Sequence, residues 1–260
     1  MNDINDFIKG SMWGLALGDA LGKPVEFKQL IQIKEFYGPN GITNLPKNAI
    51  WTDDTEMTFA IARALIKTHN LTVDEITTQI ADEFIKWLDN PGYAPGNTCR
   101  MGVFKYKNDP NKKWWKSGVM NSKGCGSAMR VAPIGLYFSD LEKLYKVAYN
   151  SSIITHAHPT AIAAAVGAAF LVRLAVNKID INLWPIKVKE FVENIPEPGR
   201  TEFRNAIDIA IKVLDIGNTE EAIKKIGKGW VGEEAVAIAL YCCMKYPKPQ
   251  DFKKNVDSFS

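Results

Sequence analysis

Two adjacent carboxylates bracketed by hydroxyls, Thr52-Asp53-Asp54-Thr55, stand directly before an apolar run that reads Met57, Phe59, Ala60, Ile61, Ala64, Leu65. Oxygen donors of this kind suit a hard cation such as magnesium, manganese or calcium. They equally suit a helix start, where Thr or Asp accepts from free N–H groups and negative charge complements the helix dipole. On this motif alone the cap is the more economical reading, and a metal site needs partners from elsewhere in the chain. Glu26, in Lys23-Pro24-Val25-Glu26-Phe27, is a second candidate. Burial among its apolar neighbours would raise its pKa and fit it for proton transfer. Taken alone, a single glutamate reads as a solvated surface group.

A third stretch, Asn121-Ser122-Lys123-Gly124-Cys125-Gly126-Ser127-Ala128-Met129-Arg130, runs as a glycine-bearing loop into a predicted helix. Small residues let the backbone approach phosphate oxygens, and free N–H groups at a helix start favour an anion. The stretch lacks the Walker pattern and follows no predicted strand, which excludes a P-loop and a dinucleotide-binding turn. No base or orienting group lies near Cys125 in sequence, so its neighbourhood reads as binding rather than covalent catalysis. The fourth candidate is Thr155-His156-Ala157-His158-Pro159, ahead of an alanine-rich segment. Two histidines in such a place can meet a substrate hydroxyl or a metal, or simply cap and pack. Their spacing is not that of the helical His-Glu-X-X-His zinc motif, which disfavours zinc.

The elements that must position these residues read as helices, because apolar positions recur every three or four residues and alternating β-branched runs are scarce. The first helix, 4–21, carries Gly10, Gly14 and Gly18, with Gly22 just beyond, a stripe that predicts close approach of another backbone. Further helices are predicted at 54–67, 73–88, 127–136, 141–151, 160–176, 187–193, 202–214, 219–226 and 233–244. The breaks Gly38-Pro39-Asn40-Gly41, Asn90-Pro91-Gly92 and Glu197-Pro198-Gly199 are turn chemistry, too short for interdomain linkers. The stretch 91–126 shows little periodicity and is expected to be a long loop lining a ligand site.

With 260 residues and no linker, one domain over 1–260 is expected. A net charge of +3, with lysines spread along the chain, predicts no nucleic-acid partner. Four cysteines, Cys99, Cys125 and the adjacent Cys242 and Cys243, do not form a disulfide or zinc framework. No leader is read at the N-terminus, and no stretch is read as matching the ~18 uninterrupted apolar residues of a membrane span, so the cytoplasm is the expected location. The oligomeric state has no marker in the sequence.

Taken in order, six segments resemble the ADP-ribosylglycohydrolase family. They are Gly14-Leu15-Ala16-Leu17-Gly18-Asp19-Ala20-Leu21-Gly22, Pro24-Val25-Glu26, Thr52-Asp53-Asp54-Thr55, Gly124 through Pro133, Thr155-His156 and Trp230-Val231-Gly232-Glu233-Glu234-Ala235. The resemblance covers most of the chain. It implies a compact, orthogonally packed all-α domain whose cleft binds ADP-ribose, or an ADP-ribosylated substrate, beside one or two magnesium or manganese ions. Thr52, Asp53 and Asp54 would be the metal ligands. Glu26 would lie over the scissile ribose, and Ser122, Gly124, Cys125, Gly126 and Ser127 would hold the diphosphate. His156 would contact the terminal ribose, while His158 has no family role. The implied reaction hydrolyses the glycosidic bond between ADP-ribose and its acceptor. Glu26 or one of the metal-linked aspartates, Asp53 and Asp54, would deprotonate the attacking water.

Family members usually place a second acidic motif, Asp-X-Asp followed by Thr or Ser, after the helix matching 233–244. Asp251 and Asp257 do not reproduce it. The resemblance therefore implies an incomplete metal shell within these residues, in a piece of a longer protein or in a member with weakened metal binding and activity. A catalytically impaired ADP-ribose-binding protein of the same fold is the alternative function.

Overall fold

The computed structural model describes residues 2–68 and 70–247, apart from the side chains of Asn2 and Asp3. Asp251 and Asp257, on which the expected second acidic motif was judged, lie outside the described residues. The described residues are helical, with no strand and only two isolated bridges, Val119 with His156 and Gly124 with Val231. The α-helices are α1 (Asn2–Gly22), α2 (Leu30–Tyr37), α3 (Asp53–Ile66), α4 (Val73–Asp89), α5 (Asn97–Asn108), α6 (Ala132–Tyr137), α7 (Leu141–Ile153), α8 (Pro159–Val176), α9 (Trp184–Phe191), α10 (Gly199–Lys212), α11 (Thr219–Ile226) and α12 (Gly232–Lys245).

Helix α8 is the axis of the core, with α6, α7, α9, α10 and α12 packed around it. Its alanines keep neighbouring helices close, and Gly167 is obligatory, since a Cβ there would lie 2.4 Å from Phe203 Cζ. Contrary to expectation, α8 is long and apolar enough by length and composition to span a bilayer. In the fold it is buried on most sides as a core helix. A second layer is made by α3 and α4, with α5 and α7 packed on α4. Helix α4 opens with a capping box in which Thr72 and Glu75 satisfy each other's backbone N–H groups.

Three expectations are corrected. The 91–126 stretch contains α5, whose buried residues Cys99, Gly102, Val103 and Tyr106 fall at helical spacing. Only one of the four is aliphatic, which masked the period; Gly102 is needed because a Cβ would meet Ile154 O at 2.6 Å. The predicted helix 127–136 is a 3₁₀ stretch, Cys125–Arg130, followed by α6. The break falls at Val131, and Pro133 sits in the first turn of α6, where its missing N–H costs no intrahelical hydrogen bond. The glycine stripe of α1 brings no backbone close: a Cβ at Gly10, Gly14, Gly18 or Gly22 would meet nothing within 4 Å. Helix α2, absent from the sequence reading, buries only Ile33.

Candidate active site

The site begins with a helix cap built across distant sequence. Asp19, near the end of α1, accepts from Thr52 N at 2.8 Å, Thr52 Oγ1 at 2.8 Å, Thr55 N at 3.2 Å and Thr55 Oγ1 at 2.6 Å. Thr52 is the N-cap of α3, and its hydroxyl accepts from Asp54 N at 3.3 Å. The cap reading of the Thr-Asp-Asp-Thr motif is thus correct for Thr52, and it leaves both aspartate side chains for other work. Sequence reasoning gave Asp19 no role, although a lone carboxylate within a Gly, Ala and Leu run was a usable clue.

Asp53 is buried and accepts from Gly96 N at 2.9 Å, fixing the start of α5. Burial raises its pKa and Asp19 adds to the rise, against the Gly96 hydrogen bond and the positive charge of Arg130. Asp54 is pushed up to about 7, first by burial and then by Asp19, Asp53 and Glu26. Glu26 is exposed at the end of a 3₁₀ turn, Lys23–Val25, and is raised by desolvation and by Asp53 and Asp19, with Lys23 opposing. Four carboxylates from α1, the following turn and α3 therefore share one electrostatic neighbourhood.

The glycine-bearing loop faces the same neighbourhood. Burial pushes the Cys125 thiol up to about 11, and Asp54, Asp53 and Glu26 contribute to the rise. Such a thiol is a poor nucleophile, in keeping with a binding role for the loop. Ser122 Oγ lies 3.2 Å from Thr98 Oγ1 and accepts from Gly124 N at 3.5 Å. Ser127 turns away from the loop, fully buried, and donates to Ala161 O at 3.2 Å. A Cβ on Gly126 would stand 2.9 Å from both Cys99 Sγ and His156 Cε1, and one on Gly124 would stand 3.3 Å from His156 Nε2. His156 therefore closes the far wall of the loop.

His156 is buried, and burial together with Arg130 pushes its pKa down to about 3, so the ring is neutral at physiological pH. His158 is a helix cap whose Nδ1 accepts from Thr160 N at 3.1 Å. Behind the loop, Gly232 N donates to Lys123 O at 2.8 Å, and Lys123 Nζ pairs with Glu202 and Glu233, each at 2.7 Å. The exposed Phe27, next to Glu26, packs against Trp230 with tilted rings whose centroids are 5.2 Å apart, and Val231 then bridges to Gly124. This chain of contacts joins the acidic cluster to the loop through residues far apart in sequence.

A hard cation fits the acidic cluster in kind, because the available donors are oxygens with raised pKa values and magnesium is commonly held by one or two carboxylates with water completing its shell. Among the described residues, no three His, Cys, Asp or Glu side chains gather closely enough to form a metal cluster unaided.

The described residues thus place a group of carboxylates and a glycine-bearing loop with a buried, neutral histidine in one region of a helical fold. The model of the ADP-ribosylglycohydrolase family matches residues 1–258, and the chain belongs to that family of hydrolases. A protein of Archaeoglobus fulgidus is 30% identical over 97% of this chain and 80% of its own length. The ADP-ribosyl-[dinitrogen reductase] glycohydrolase of Rhodospirillum rubrum is 35% identical over 62% of this chain and 55% of its own. A solved ADP-ribosylglycohydrolase-related protein complex shares the fold, with a TM-score of 0.68 and 21% identity over 99% of this chain and 81% of that one.

Proposed function

We propose that the chain hydrolyses the glycosidic bond between ADP-ribose and an acceptor, a protein side chain or a small conjugate, with the help of magnesium or manganese. One observation carries this reading: Cys125 lies in the field of Asp54, Asp53 and Glu26, while the glycines flanking it abut His156. A diphosphate held along the 122–127 loop would then place the attached ribose beside the carboxylates.

Thr52, Asp53 and Asp54 would hold the cation, whose Lewis acidity supplies orientation of the ribose diol. Asp19 keeps Thr52 in place through the cap, and Asp53 is anchored by Gly96. Glu26 is the exposed carboxylate of the four, and its raised pKa suits it to take the proton of an attacking water as positive charge builds on the ribose ring. Backbone N–H groups of the loop would meet the diphosphate, and His156 would donate to a sugar hydroxyl.

The test is release of free ADP-ribose from ADP-ribosylated arginine, ADP-ribosylated serine and O-acetyl-ADP-ribose, with magnesium and with chelator. Turnover of at least one, lost on chelation, is the expected result. ADP-ribose should also raise the melting temperature of the parent, the rise growing with the logarithm of its concentration above the Kd. Gly126→Val should abolish that rise, because its Cβ enters the space held by Cys99 and His156. A folded Gly126→Val protein with an undiminished shift would remove the loop from the binding site.

A further inference from the structure

Arg130 is fully buried, and among the described residues no carboxylate forms a direct ion pair with it, although it feels the charge of Asp53. Its Nε has no hydrogen-bond partner among the described residues. Its guanidinium lies over the Phe84 ring, 4.4 Å from the centroid. A buried charge with no direct ion pair is costly, so its place in the core calls for a return elsewhere.

The remaining nitrogens point to one. NH2 donates to Ser151 O and to Thr155 Oγ1, each at 2.8 Å, and NH1 donates to Cys99 Sγ at 3.6 Å. Thr155 Oγ1 lies 2.9 Å from His156 Nδ1, and Cys99 Sγ donates to Gly126 O at 3.7 Å. The proton directions follow by elimination. Guanidinium only donates, so the Thr155 oxygen accepts from it. Thr155 is fully buried, and its hydroxyl hydrogen has one other neighbour, His156 Nδ1. If Nδ1 carried the proton instead, that hydroxyl hydrogen would be left buried without an acceptor, which costs about 1–3 kcal/mol. The ring proton is therefore on Nε2, the atom nearest a Cβ placed on Gly124. Among the described residues, the hydrogen bond of the His156 ring is the one at Nδ1, which leaves Nε2 for a ligand.

We propose that Arg130 is a positioning residue: acting through Thr155 and Cys99, it fixes His156 as an Nε2–H donor aimed at the Gly124–Gly126 loop and sets the Gly126 carbonyl opposite. The ligand it prepares for is an acceptor oxygen of the sugar or diphosphate, which rests on the proposed function; the tautomer itself does not. Thr155→Val removes the relay while nearly keeping shape, and Thr155→Ser keeps the hydroxyl.

The chain has three histidines, so a ring-¹⁵N-histidine spectrum is readily assigned with a His156→Gln control. In the free parent, the His156 signals should report an unprotonated Nδ1 and a protonated Nε2 that hold from pH 5 to 8. In Thr155→Val the two tautomers should mix and ADP-ribose should bind about tenfold more weakly, as for loss of one well-oriented hydrogen bond. Thr155→Ser should restore both readouts. A protonated Nδ1 in the parent overturns the proposal even if Thr155→Val does not fold. A folded Thr155→Val with unchanged tautomer and affinity overturns it as well. Failure of the parent to bind ADP-ribose, with the expected tautomer present, would refute the proposed function and leave the relay standing.

Discussion

Glu83 and Asp54 are carboxylates on neighbouring helices with opposite surroundings. Glu83 on α4 is buried and is met by Lys86 at 2.6 Å, Lys67 at 2.9 Å and Arg63 at 3.0 Å. Burial works to raise its pKa, but the hydrogen bonds from those three cations hold it at about 2. Asp54, on α3, is pushed the other way to about 7, by burial and by three further carboxylates. The same fold thus supplies three positive groups to one acid and gathers four acids elsewhere, where Arg130 opposes the rise of Asp53 and Lys23 that of Glu26. The first arrangement neutralises its acid within the fold, whereas the second leaves the charge that the proposed cation would offset.

The comparison is broken most directly at Asp54. Asp54→Asn should lower turnover about a hundredfold or more, since a displaced ribose loses its alignment with the attacking water. In chelator at pH 8 the same variant should be more stable than the parent, by on the order of 2–4 kcal/mol or several degrees in melting temperature. The sign follows from the raised pKa. Folding costs nothing at Asp54 below its ordinary value of 3.8, and the full cost is present above about 7, so its effect lowers stability as pH rises between them. Paired melting curves and turnover assays settle it, and a variant that loses both stability and activity would make Asp54 a structural residue like Glu83.

Glu83→Gln tests the other side and should cost about 1–3 kcal/mol at pH 7, a range reduced because the three cationic partners are about half exposed. Its pKa is lowered on folding, so its contribution is complete above the ordinary 4.5 and is lost as pH falls toward about 2. Denaturant unfolding of parent and variant should therefore converge in acid, with turnover per folded molecule unchanged at neutral pH. A loss of turnover out of proportion to stability would connect Glu83 to the site.

The comparison also shows what could be read from the sequence. The helical class and the long α4, α8 and α12 were legible because caps and apolar spacing are local. The Thr52 to Asp54 motif was legible as a carboxylate pair at a helix start, but the acid that caps it, Asp19, comes from a different helix, and its place in a Gly, Ala and Leu run did not say which helix it serves. Cys125 carried no visible partner, because its carboxylate neighbours lie about 70 to 100 positions away. Helix α5 was hidden by having glycine, cysteine and tyrosine on its buried face. The Arg130–Thr155–His156 relay was not legible at all, since a sequence shows an arginine as a surface charge until burial is known.

The smallest expected effect belongs to Cys125, which reports the field of the acidic cluster without taking part in chemistry. Its thiol is raised from 9.0 to about 11, so its thiolate at pH 8 is about a hundredfold scarcer than that of an ordinary cysteine. A nucleophilic role needs the thiolate, and Cys125→Ser should accordingly leave turnover within about threefold of the parent. The backbone of the loop, which is the part expected to face phosphate, is unaltered by this change. The same thiol serves as a probe: iodoacetamide should modify it slowly in chelator, followed by mass spectrometry of the Cys125 peptide, and magnesium should speed the reaction by offsetting the carboxylates that disfavour the thiolate. Ready alkylation in chelator would mean that Asp54, Asp53 and Glu26 do not act on the loop as a group. In that event Asp54 would lose its contrast with Glu83, and the neighbourhood would be a set of separately solvated carboxylates rather than a cation site.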